Sequence, residues 1–121
     1  MKNKERIIIA GSRNFNNYQV LCNEVGEYLG DNLDVVIVSG AARGADTLGE
    51  RYAADKGISL HRYPADWVKN GKAAGPIRNE QMAQNADTLI AFWDGESRGT
   101  KNMIDVAKKY GLLVKINYFE Q

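Results

Sequence analysis

The chain has 121 residues, with 16 basic against 15 acidic side chains for a formal charge of +1, and is 44% hydrophobic and 26% charged, the balance of an ordinary globular protein. No apolar run approaches the roughly 20 residues that span a bilayer, and near-neutral charge leaves counterion release, the usual driver of general nucleic-acid affinity, little to act on. The single cysteine, Cys22, has no Cys or His neighbours, which excludes an internal disulfide and a zinc site built on it.

Residues 1–6 run straight into a β-branched stretch without the apolar segment and small-residue cleavage site of a signal peptide, so a cytoplasmic protein is expected. That stretch, residues 6–10, reads as a strand buried on both faces and breaks at Gly11-Ser12-Arg13. After a polar loop over 14–17, Val20, Leu21, Val25, Tyr28 and Leu29 recur at helical spacing, and Gly30-Asp31-Asn32 supplies the stop. A second continuous strand at 35–38 leads through Ser39-Gly40-Ala41-Ala42-Arg43-Gly44 into a helix over 45–56. The third strand, 58–63, is closed by Pro64 and followed by a long loop over 65–75. Pro76 is expected as the first residue of a helix that carries Ile77, Met82 and Ala83 inward and ends near Ala86. A fourth strand at 88–93, a turn over 94–99, a helix marked by Ile104, Val106, Ala107 and Tyr110, and a last strand at 112–116 complete the chain.

Five strands alternating with four helices predict a parallel sheet covered on both faces, a Rossmann-like three-layer α/β/α sandwich with residues 1–121 in one domain. Right-handed crossovers leave few topologies. The expected strand order is 3-2-1-4-5, which places the reversal between the first and fourth strands; 2-1-3-4-5 is the competitor.

In such sheets ligands bind beyond the carboxyl ends of the strands, where this chain concentrates its unusual residues. The candidates are Gly11, Ser12 and Arg13 after the first strand, and Ser39, Gly40, Gly44, Ala45 and Asp46 after the second. Arg78 and Asn79 begin the helix after the third strand, and Asp94, Gly95, Ser97, Arg98, Gly99 and Thr100 follow the fourth. Glycines at 11, 40, 44, 95 and 99 permit positive φ and close backbone approach, and helix N-termini favour an anion. Arg13, Arg78 and Arg98 can hold phosphate or carboxylate bidentately, where the ordinary alternative is a surface ion pair. Asp46 and Asp94 can receive ribose hydroxyls or polarise water, and an aspartate there is equally a routine cap. Trp67 is ordinarily a packing residue and alternatively a stacking face for a base; His61 has no partner that would make it a ligand.

A Walker A loop is missing, because Gly71-Lys72 is followed by Ala73, and neither Gly40-x-x-x-Gly44 nor Gly11-Ser12-Arg13 is a dinucleotide fingerprint. ATP hydrolysis and NAD-dependent dehydrogenation are not expected, and the reading calls for no cofactor and no metal.

Taken together, Gly11-Ser12-Arg13, Ser39 through Asp46, Pro64-Ala65-Asp66-Trp67, Ala73 through Asn79 and Asp94 through Thr100 resemble the YspA-like, YpsA-related SLOG domains. That superfamily unites the Lonely Guy phosphoribohydrolases with DNA-processing protein A, and its members occur in bacteria and their phages. The resemblance implies a nucleotide-binding domain that senses or sequesters a nucleotide-derived signal and assembles as a homo-oligomer. Lonely Guy enzymes cleave the N-glycosidic bond of nucleoside monophosphates, which makes a nucleotide N-glycosidase the alternative, with Arg78, Asp46 and Asp94 as catalytic candidates. Arg78-Asn79 matches their Arg-Lys pair and Gly99-Thr100 the end of their Gly-Thr turn, but Asn102-Met103 stand where they carry paired glutamates. The only candidates for a relocated carboxylate are Asp46, Asp66, Asp94 and Glu96, and the resemblance therefore implies binding ahead of catalysis. Likeness to DNA-processing protein A implies single-stranded DNA binding as a further alternative, which the charge balance argues against.

Overall fold

A computed structural model describes residues 4–120. Its five-stranded parallel sheet has the order β3-β2-β1-β4-β5, which settles the topology on the 3-2-1-4-5 arrangement. The strands are β1 (Glu5–Gly11), β2 (Val35–Ser39), β3 (Ser59–Arg62), β4 (Thr88–Trp93) and β5 (Leu113–Tyr118). Between them run helices α1 (Tyr18–Leu29), α2 (Ala45–Lys56), α3 (Trp67–Asn70), α4 (Ala74–Gln84) and α5 (Arg98–Lys109).

The strand residues divide by parity, as a pleated sheet covered on both faces requires. Ile7, Ile9, Val35, Ile37, Ile90 and Phe92 pack with Leu21, Val25 and Leu29 of α1 and Tyr52 and Ala53 of α2. Ile8, Ala10, Val36, Val38, Leu89 and Ala91 face the other way, onto Met82 and Ala83 of α4 and Met103, Ile104 and Ala107 of α5. Each such fully buried aliphatic side chain contributes about 1.5–3 kcal/mol over leaving it in water. Burial is confined to the inner strands: β3 and β5 are edge strands with largely exposed or half-buried side chains.

Three expectations need correction. The segment over 65–75 is mostly helical: Asp66 caps α3 by accepting from the Lys69 amide at 3.0 Å, and Gly71–Ala73 forms a 3₁₀ turn that runs into α4. The described residues thus form five α-helices, not four. Second, α4 begins at Ala74, so Pro76 is its third residue, still within the first turn where a missing N–H costs no intrahelical bond. Its buried positions are Ala74, Gly75, Asn79, Met82 and Ala83, which leaves Ile77 on the exposed flank instead of the core. Third, α1 buries Leu21, Val25 and Leu29 and turns Val20 outward. Among the described residues no helix is long and apolar enough to cross a membrane.

Candidate functional site

Beyond β1 and β4 the chain leaves the sheet in opposite directions, and the crevice between them is built by backbone packing. Ser12 N–H donates to the Phe92 carbonyl at 2.9 Å, tying the ends of the two strands together. The Ser12 carbonyl in turn accepts from Phe15 at 3.1 Å and from Ala45, the first residue of α2, at 3.4 Å. Gly44 permits this meeting: it has φ +79°, and a Cβ there would collide with the Ser12 carbonyl and lie 2.6 Å from that of Arg13. The exposed Arg13 side chain is thereby held at the mouth of the crevice.

The opposite bank comes from α4 and α5. Arg78 is half-buried; its Nε donates to Asn79 Oδ1 at 2.9 Å and its Nη1 to the Gly40 carbonyl. Gly40 is a glycine for lack of space, since a Cβ would sit 2.7 Å from Arg78 Nη1 and 2.8 Å from Asp46 Oδ2. Asn79 is buried and donates to Asn102 Oδ1 at 2.8 Å, which locks α4 to α5. The expected positive φ holds for Gly11, Gly44 and Gly95, but Gly40 and Gly99 do not share it, and Gly99 lies in the first turn of α5 instead of in a loop.

Between the banks lies a groove of about 470 Å³ whose rim and walls include Arg13, Asp46, Arg78, Asn79, Ser97, Gly99 and Thr100. Arg13, Ala42 and Arg78 also line a second lobe of about 730 Å³, completed by Gly40, Ala41, Arg43, Pro64, Ala65 and Trp67.

Other candidates turn out to build the crevice without lining it. Ser12 accepts the Asp94 amide at 3.2 Å. Ser39 donates to Glu50 at 2.7 Å and accepts from Ala41, and Gly44 and Ala45 form the start of α2. Asp94 Oδ1 accepts from the Glu96 and Ser97 amides at 2.9 and 2.8 Å, which folds the turn containing Gly95 and holds its carboxyl below the usual carboxylate range. Arg98 is exposed at the first position of α5 and lines neither lobe.

Sequence reasoning missed the apolar floor, Ala10, Met82 and Met103, together with Ala42 and the Asn102 clamp. The methionines and Ala10 carry only a core signature, and Asn102 shows its role only when α4 and α5 are brought side by side.

Asp46 is the one acidic side chain in either lobe, and it is 4% exposed. Burial pushes its carboxyl up to about 6, against the lowering effects of the Ala42 amide, at 3.3 Å from Oδ2, and of the Arg78 guanidinium. The stability consequence has a definite sign. With the folded value above the ordinary 3.8, the native state retains a proton the unfolded chain has lost. The contribution is therefore fully present below pH 3.8 and fades as pH rises through about 6. Asp46→Asn should remove this slope: the unfolding free energy of the parent relative to the variant, from urea titrations, is expected to fall by on the order of 2 kcal/mol between pH 4 and 7.5. A constant difference across that window would refute the assignment.

Comparison with known proteins adds three findings. The model of the family described as YspA, cpYpsA-related SLOG matches residues 5–69. The Gene 61 protein of Mycobacterium phage D29 is 36% identical over 122 aligned positions, covering 93% of this chain and 95% of that protein. Among solved structures, DNA processing protein A (DprA) from Streptococcus pneumoniae superposes with a TM-score of 0.73 at 20% identity, a likeness of fold. It covers 93% of this chain but 50% of the DprA chain, so the protein spans half the length of that neighbour.

Proposed function

The chain belongs to the YspA, cpYpsA-related SLOG family, and from that premise we propose that it binds a nucleotide or nucleotide-derived small molecule without cleaving it. The observation that carries the reading is the position of Arg13 and Arg78, which line both lobes of the groove beside the buried Asp46. Two guanidinium groups flanking one crevice favour a phosphate. The first turn of α5, with open space around Gly99 and the Thr100 side chain at the groove wall, adds the favourable partial charge of a helix N-terminus. In this reading Asp46, which lines the first lobe, accepts ribose hydroxyls.

Binding is favoured over hydrolysis because glycoside cleavage ordinarily uses a pair of carboxylates, and the lobes offer Asp46 alone. Of the other relocated candidates, Asp66 caps α3, Asp94 folds its own turn and Glu96 is exposed.

Nucleoside 5′-monophosphates, cyclic nucleotides and ADP-ribose, each at millimolar concentration, are expected to include at least one that raises the melting temperature by several degrees. A ligand at a hundred times its Kd adds about 2.7 kcal/mol. Absence of any shift across the panel overturns the reading. Release of free base from a monophosphate, lost in Arg78→Ala, would convert it to the hydrolase alternative. Retardation of oligonucleotides with steep salt dependence would favour single-stranded DNA instead.

A further inference from the structure

The two tryptophans of the chain are placed very differently. Trp93 ends β4, tilts against Tyr118 with ring centroids 5.7 Å apart, and donates its indole N–H to the Ser97 carbonyl at 3.1 Å. Trp67 opens α3 and is 51% exposed, although it lines the second lobe of the groove. Among the described residues no aromatic ring stacks on it and no guanidinium or ammonium sits over its face. An indole is costly to leave in water, and here it stands beside Arg13, Arg43 and Arg78 without being used by any of them.

Its position is nonetheless well defined. Asp66 caps the short helix, the Trp67 carbonyl accepts from Gly71, and the ring tip stands beside α4, 3.6 Å from where a Cβ on Gly75 would be. The ring is thus positioned next to α4 while half of the residue is left open.

We infer that Trp67 is the stacking platform for the aromatic base of the ligand, with the base in the second lobe and the phosphate at Arg13 and Arg78, where the two lobes join. The inference rests on the nucleotide reading above and gives the ligand a direction in the groove. It also explains why the second lobe is wide and carries no carboxylate: a base is held there by its π-face, and stacking tolerates any base.

The test compares nucleoside 5′-monophosphates of the four common bases with ribose 5-phosphate, which keeps the phosphate and sugar but has no base. Calorimetric titrations are run on the parent, Trp67→Ala and Trp67→Phe, each checked for native circular dichroism. Trp67→Ala is expected to weaken the nucleotides roughly tenfold to a hundredfold, to leave ribose 5-phosphate within about twofold, and Trp67→Phe is expected to recover most of the loss. Equal weakening of nucleotide and ribose 5-phosphate, or no weakening of either, overturns this inference while the nucleotide reading stands. A parent protein that binds none of these compounds, nor cyclic nucleotides or ADP-ribose, removes both.

Discussion

Replacing Arg78 by alanine is expected to weaken nucleotide binding about a hundredfold, or close to 3 kcal/mol, while leaving a folded sheet. Arg78 reaches the groove from α4 with two of its donors already committed, Nε to Asn79 and Nη1 to the Gly40 carbonyl. Those bonds orient the fork before any ligand arrives, so little side-chain entropy remains to be lost on binding. Burial lowers its pKa, against the favourable influence of Asp46, and neighbouring Arg13 lowers it further. An anion at this point offsets both the cost of burying the charge and the repulsion from Arg13. A charge-assisted hydrogen bond contributes about 1.5–3 kcal/mol, so loss of the fork accounts for the hundredfold effect. Arg78→Lys keeps the charge without the fork and should fall in between. Removal of Arg78 also withdraws a group that lowers the pKa of Asp46, so the ionised, ribose-accepting form of Asp46, and the affinity that depends on it, should appear at a higher pH in the variant than in the parent. Calorimetric titration against nucleoside monophosphates checks all three; parental affinity in Arg78→Ala would remove this residue from the site.

Gly44→Ala is expected to be the most destabilising single substitution in the crevice, at about 4–5 kcal/mol, a large share of the 5–15 kcal/mol typical of a folded domain. Two costs combine. The backbone at φ +79°, ψ −126° belongs to a region that side-chain-bearing residues avoid, worth about 1–3 kcal/mol. The new methyl also meets the Ser12 and Arg13 carbonyls, and Ser12 cannot move aside because its carbonyl already receives the Phe15 and Ala45 amides. Chemical unfolding measures the loss. Gly95→Ala serves as the comparison: it has φ +84° but nothing near its Cβ position, so it should suffer the conformational cost alone. Equal losses at the two positions would mean that the carbonyl contacts contribute nothing.

The sheet was legible because each inner strand is a short, mostly apolar run that ends at a glycine-containing turn. The third helix was not, because four residues from Trp67 to Asn70 are too few for any apolar period, leaving Asp66 as the only signal. Ile77 was misplaced because it lies five residues before Met82, about 140° away around the helix axis, so a face that buries Met82 and Ala83 turns Ile77 outward wherever α4 begins. In the site, Arg13, Asp46 and Arg78 could be brought together from topology alone, since each follows a strand at the same end of the sheet. Arg98 could not be ruled out in that way. Whether a residue at the start of α5 faces the groove or the solvent depends on where the helix begins, which the run of small residues around Gly99 conceals.

The division of the groove between the two sides of the switch point has one more consequence. Arg13 and Asp46 come from the part of the chain that builds β1, β2 and α2, whereas Arg78 and Thr100 come from the part that builds α4, β4 and α5. These parts join through the β1–β4 pairing, with Ile7 opposite Thr88 and Gly11 opposite Phe92. The site is therefore not portable. A fragment, graft or gene fusion that retains one bank inherits a cation without its counterpart.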